Sequence, residues 1–278
     1  MNTERLIRVF PRRTAATPTD ELAYTGLPDL FSEADRVHVS VTFTWDIPEA
    51  ERLAKAWERI APVEIGGPAF NQPSGEFEPG RYLAPGYTIT SRGCPNKCWF
   101  CAVWKREKGQ LRELPIRDGW NVLDDNLLAC SESHVREVFA MLGRQRKAVE
   151  FTGGLEAAKM QPWHAELLAG LPRLAAAWFA YDEERDWEPL LQAGKLLDDV
   201  GLTAESRKRR CYVLIGFRGD TLARAERRLI NTVEAGFAPM AMLMRDPKTG
   251  LQDKSWKRFQ ETWARPSMVW SRFERVGG

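Results

Sequence analysis

Residues 86–101 read Gly86-Tyr87-Thr88-Ile89-Thr90-Ser91-Arg92-Gly93-Cys94-Pro95-Asn96-Lys97-Cys98-Trp99-Phe100-Cys101, an alternating strand pattern that runs directly into three thiols. Apolar and polar residues alternate from Gly86 to Ser91, as in a strand with one face buried. The three cysteines are separated by three and then two residues. Soft thiolates grouped on one loop suit an iron–sulfur cluster or zinc. A structural zinc site needs four ligands. No Cys or His closes such a set here at a fitting spacing, because Cys130 and Cys211 are single and His134 and His164 are scattered. A four-iron cluster held by three cysteines keeps one iron open to an external ligand.

Downstream, strand patterns recur at Trp120 to Leu123, Ala148 to Thr152, Ala177 to Tyr181, Cys211 to Phe217 and Phe237 to Met244. Helical patterns lie between them. Ser131 is placed to cap a helix with Val135, Val138, Phe139 and Leu142 on one stripe. Pro162 suits a first helical turn, and Asp220 is expected to cap a helix carrying Leu222, Ala225, Leu229 and Val233. Gly201 and Gly236 fall where helices end. Alternating strands and helices imply right-handed crossovers and a parallel sheet. Six strands are too few for an eight-fold barrel. The expected fold is therefore α/β, a partial (β/α)6 TIM-like barrel, with its chemistry at the strand C-termini.

The first residues differ. Val37 to Thr44 reads as a strand, Pro48 to Ile60 as a helix and Val63 to Ile65 as a strand, with a further strand near Ile7 to Phe10. This is a βαβ (half-Rossmann) unit in an N-terminal domain, 1–84. The α/β unit then spans 85–246, and 247–278 forms a helical cover whose Trp256, Phe259 and Trp263 stand at helical spacing before Ala264-Arg265-Pro266.

The cysteine spacing, the aromatic Phe100 before the last thiol and the position after the first strand of a six-strand unit resemble the radical S-adenosylmethionine (SAM) superfamily. That resemblance implies a [4Fe-4S] cluster on Cys94, Cys98 and Cys101, with SAM on the open iron and its C5′–S bond broken reductively to give a 5′-deoxyadenosyl radical. It implies cofactor-binding roles for the strand ends. Phe100 would lie against the adenine. Asp124, Asp125 and Asn126 would hold the ammonium of SAM, although Asn126 also reads as a helix cap. Thr152, Gly153 and Gly154 would approach SAM, or the glycines would simply make a turn. Asp182 would contact ribose or methionine, and Gly216 would border the adenine.

Absent ligands narrow the subclass. Residues 1–93 contain no cysteine, so a methylthiotransferase with a second cluster is excluded. The N-terminal unit, with Ile65-Gly66-Gly67-Pro68-Ala69, resembles the end of a cobalamin-binding domain. The cobalt-coordinating Asp-x-His-x-x-Gly is missing, so a vestigial domain without cobalamin is expected. Cys130 and Cys211 read as small buried hydrophobes, and the methionines 240, 242 and 244 as core packing. Arg207-Lys208-Arg209-Arg210 reads as a solvated loop or a phosphate contact. Short phage-associated radical SAM proteins end with a similar aromatic helix, and this likeness alone points to a nucleotide or nucleic-acid base as substrate. A small metabolite or a peptide stays open. The rival readings are a radical SAM methyltransferase and a non-catalytic iron–sulfur or zinc module. A flavodoxin or ferredoxin would supply electrons. A formal net charge of +2 gives no broad nucleic-acid footprint. The absence of a long apolar run or a signal-like start leads to a cytoplasmic, non-membrane expectation.

Overall fold

The structure is a computed structural model that describes residues 4–73 and 75–264. The chain begins with β1 (Leu6–Phe10), β2 (Ala23–Thr25), β3 (Arg36–Ser40), α1 (Ile47–Trp57) and β4 (Val63–Gly66). The four strands form one parallel sheet in the order β2-β1-β3-β4. The expected βαβ unit is thus present as β3-α1-β4, and β1 is the further strand. β2 adds a fourth, three residues long with no apolar run to announce it. Strand β3 stops at Ser40 rather than Thr44, because Thr44–Asp46 already turn into a 3-10 helix leading to α1. Ile7, Val9, Val37 and Val39 pack on Leu53, Ala54 and Trp57, a core of its own.

The second part contains β5 (Tyr87–Thr88), β6 (Ser91–Arg92), α2 (Val103–Arg106), β7 (Arg112–Glu113), β8 (Asn121–Val122), α3 (Glu132–Gly143) and β9 (Val149–Leu155). It continues with α4 (Pro162–Ala169), β10 (Leu174–Ala180), α5 (Trp187–Asp199), β11 (Arg209–Ile215), α6 (Leu222–Glu234), β12 (Ala238–Leu243) and α7 (Lys254–Trp263). Six parallel strands stand strictly in chain order, β5-β8-β9-β10-β11-β12. Right-handed crossovers between strands that always step in one direction place the connecting helices on one face. Burial agrees. In β11, Arg209, Cys211, Val213 and Ile215 are buried while Arg210 is exposed and Tyr212 and Leu214 are half-buried. In β12, Pro239, Ala241 and Leu243 are buried and Met240 and Met242 are 48% and 44% exposed. Met240 and Met242 therefore line the face without helices and are not core packing, and Met244 follows the strand half-buried.

Three further expectations are corrected. The strand expected over 86–91 is split: β5 stays in the sheet, while β6 peels away to pair antiparallel with β7. Thr221, not Asp220, caps α6 through its hydroxyl; Asp220 instead accepts from the Gly216 amide at 2.9 Å and pairs with Arg228 at 2.8 Å. The basic stretch is no solvated loop throughout, because Arg209 is buried. Its guanidinium pairs with Asp198 and donates to the Leu202 and Gly194 carbonyls, closing the end of α5.

Helix α7 carries Trp256, Phe259 and Trp263 onto the main core, and Gln260 Nε2 donates to the Ala241 carbonyl at 2.8 Å. The expected Arg265-Pro266 turn lies outside the described residues. The two parts meet through the Thr44 hydroxyl on the Pro247 carbonyl and Arg245 over the Trp45 ring at 5.4 Å. No helix among the described residues is long and apolar enough to cross a membrane.

Candidate metal centre

The cysteine loop leaves the sheet at its C-terminal edge and is shaped by a glycine that no other residue replaces. Gly93 has φ of 91°, and a Cβ there would stand 1.7 Å from the Gln110 carbonyl oxygen. Its amide donates to Asp125 at 2.8 Å. Cys94, Cys98 and Cys101 follow, all half-buried and none in a disulfide. The Cys101 amide donates to the Cys98 carbonyl at 3.1 Å, and the Trp104 indole donates to the same oxygen at 3.0 Å. Burial and the neighbouring sulfurs push the Cys98 thiol up to about 11 and raise Cys101 as well. These thiols hold their protons unless a cation replaces them, as metal-ligating thiols do.

The strand-end residues divide into those that build the loop and those that face it. Asp124 is 1% exposed and accepts from the Thr90 amide (2.6 Å), the Thr90 hydroxyl (2.6 Å) and the Ser91 hydroxyl (2.7 Å). Asp125 accepts from Gly93 and pairs with Arg106 at 3.1 Å; Glu107 lies on the other side of that guanidinium, also at 3.1 Å. Both carboxylates are thus engaged by groups of the chain itself, Asp124 fully buried and Asp125 half-buried. They pin the start of the cysteine loop to the end of β8. Asn126 does face the thiols. Its Nδ2 donates to Cys94 Sγ at 3.2 Å and to Glu156 Oε2 at 2.6 Å, while its buried Oδ1 has no partner among the described residues.

Gly153 and Gly154 do not form a turn after the third strand. β9 runs through them to Leu155, with a register shift against β10. A Cβ on Gly153 would stand 2.3 Å from the Asp124 carbonyl, so this glycine lets the β8 loop cross the strand. Gly154, with φ of 97°, borders open space. The Thr152 hydroxyl bonds Asn121 and is thereby engaged within the sheet. Gly216 has φ of 72° and lies under Trp256 and Leu243, so it serves a turn and the seat of α7.

The opposite wall comes from the ends of β10 and β11. The Trp99 indole donates to Glu183 at 3.0 Å and meets Phe100 and Phe217 edge-on, each at 5.3 Å. Asp182 accepts from the Leu214 amide at 2.9 Å, and burial lifts its carboxyl to about 6. Glu156, Trp99 and Phe217 carry no pattern in the sequence that marks them. The only signal for Glu156 is its place two residues past the paired glycines. Cys130 is half-buried, and Cys211 is fully buried beside the helices.

Among the described residues, no three His, Cys, Asp or Glu side chains converge closely enough to hold one metal ion. Three thiols on one loop are the donor set a site-differentiated four-iron cluster takes, whereas a structural zinc site takes four ligands. Comparison with protein-family models, with curated proteins and with solved structures gave no match for the chain.

Proposed function

We propose that this chain is a radical SAM enzyme, with its six-strand sheet curved as a partial TIM-like barrel and its cysteine loop at the barrel mouth. The observation that carries the reading is the contact of Asn126 Nδ2 with Cys94 Sγ at the C-terminal edge of the sheet, in a loop that offers three thiols and no fourth ligand. The strictly sequential strand order with helices on one face supports the barrel.

Cys94, Cys98 and Cys101 would hold the cluster. A [4Fe-4S] centre with SAM on its open iron supplies one-electron cleavage of SAM and thereby hydrogen abstraction from a substrate. The chain's residues do the rest. The Asn126 amide donates to a ligand sulfur, which stabilises negative charge there and tunes the potential. Glu156, tied to that same amide, takes the ammonium-holding role in place of Asp124 and Asp125. Asp182 keeps one oxygen on the Leu214 amide and offers the other to a hydroxyl of the ribose. Phe100, Trp99 and Phe217 wall the loop from water. Beneath them the helix-free face provides a substrate floor. Trp178 and Tyr212 stack at 4.4 Å, Arg210 lies 5.3 Å over Trp178, and Met240 and Met242 are exposed beside them. A planar substrate such as a nucleobase suits aromatic and sulfur surfaces of this kind.

The test is anaerobic. The cluster is reconstituted, SAM and dithionite are added, and products are chromatographed beside Cys98→Ala and Glu156→Gln. The expected result is 5′-deoxyadenosine from the wild type, none from Cys98→Ala, and iron content retained with weakened SAM binding in Glu156→Gln. Wild-type protein that binds no iron, or that leaves SAM intact, would overturn the proposal.

A further inference from the structure

A cavity of about 420 Å³ lies between the N-terminal sheet and the strand that leads to the cysteine loop. That volume falls within the range of small-molecule sites, roughly 300–1,000 Å³. Its walls come from the C-terminal ends of β3 and β4 and from β6. Ile65, Pro68, Phe77, Tyr82, Leu83 and Ile89 supply apolar surface. Gly67 brings backbone to the floor at φ of 113°, where a Cβ would stand 2.6 Å from the Val41 carbonyl.

The charges around the cavity are unevenly satisfied. Glu64 pairs with Arg36 and lies 3.3 Å from His38, Glu78 pairs with Arg81, and Glu76 is exposed at the rim. Arg92 faces the cavity with its Nε buried and without a partner, and it forms no ion pair among the described residues. Other buried arginines are ion-paired. Arg8, Arg106, Arg209 and Arg228 each hold a carboxylate, Asp20, Asp125, Asp198 and Asp220 respectively. His38 borders the same space with its Nε2 3.3 Å from the Glu64 carboxylate. Arg92 Nε is left as a buried donor without an acceptor, which costs about 1–3 kcal/mol unless an acceptor enters the cavity.

We propose that this cavity binds a small organic anion, a carboxylate or phosphate monoester on an apolar body, with the anion on Arg92 and the body against Ile65, Phe77 and Ile89. The site is distinct from the cysteine loop and stands whatever that loop binds. Its occupant would still reach the loop, because Arg92 precedes Cys94 by two residues and Gly93 between them is sterically fixed.

The test is calorimetric titration of the full chain with phenyl phosphate and with phenylacetate, inorganic phosphate serving as the probe without a body. At least one aryl anion is expected to bind with Kd below about 1 mM, with inorganic phosphate about tenfold weaker or more. Arg92→Gln and, separately, Ile65→Trp, which fills the cavity, should each weaken binding at least about tenfold while the melting temperature stays near wild type. The preferred aryl probe tells carboxylate from phosphate. Binding of neither aryl anion overturns the proposal, as does equal affinity for inorganic phosphate or an unchanged affinity in both variants. If Arg92→Gln does not fold, Ile65→Trp decides.

Discussion

At the scale of single residues the carboxylates divide by what donates to them. Asp124 is encircled by Thr90 and Ser91 donors, Asp125 by Gly93 and Arg106, and both work as clamps on the loop. Asp182 is different, because burial outweighs its one amide donor and lifts its carboxyl from 3.8 to about 6. The folded chain therefore binds that proton more tightly than the unfolded chain does. Its contribution to stability is complete below about pH 4 and is lost as pH rises through about 6. The deficit at pH 7 is about 2–3 kcal/mol. Asp182→Asn, which keeps an acceptor for Leu214 without the charge, should thus be more stable than wild type by about 2 kcal/mol at pH 7. At pH 4.5 the advantage should shrink to about a third of that, by urea denaturation at both values. An advantage independent of pH would show that charge burial is not its source.

Secondary-structure elements show why paired glycines are not interchangeable. Gly153 is needed because the Asp124 backbone crosses β9 at van der Waals contact, and Gly154 because φ of 97° disfavours any Cβ. Gly153→Ala should cost about 2–3 kcal/mol, since β8 and β9 must part. Gly154→Ala, with open space around it, should cost about 1 kcal/mol from backbone conformation alone. Denaturant midpoints of the two variants check the order; a Gly154 cost above the Gly153 cost would contradict the crossing. The same crossing carries Asn126 to Cys94, so for the proposed cluster Gly153→Ala should retain less iron after reconstitution than Gly154→Ala does. Periodicity made the six strands and most helices legible, and Ser131 caps α3 as its position suggests. Cap identity at α6 was not legible, because Asp220 and Thr221 are both good caps. Arg228, about two helical turns inward, draws Asp220 away and leaves Thr221 to the amides.

The described residues form two hydrophobic cores, one against each of the two larger sheets, joined by polar and ring contacts and separated in part by the cavity beside Arg92. Leu53 belongs wholly to the smaller core. Leu53→Ala should cost that core about 3 kcal/mol and lower the first of two urea transitions, leaving the second unmoved. A single transition that shifts as a unit would show that the two cores fold as one. By itself the sequence determined the element types, the parallel α/β class and the three thiols on one loop. These follow from local periodicity and from spacing, which need no distant partner. Only the tertiary structure decided which polar groups are already engaged. Asp124, Asp125 and Arg209 look free in the sequence and are bound, whereas Arg92 looks ordinary and is unpaired. Several of these partners lie far apart in the chain, 32 residues for Asn126 and Cys94 and 84 for Trp99 and Glu183, and one-dimensional patterns do not record which donors meet which acceptors.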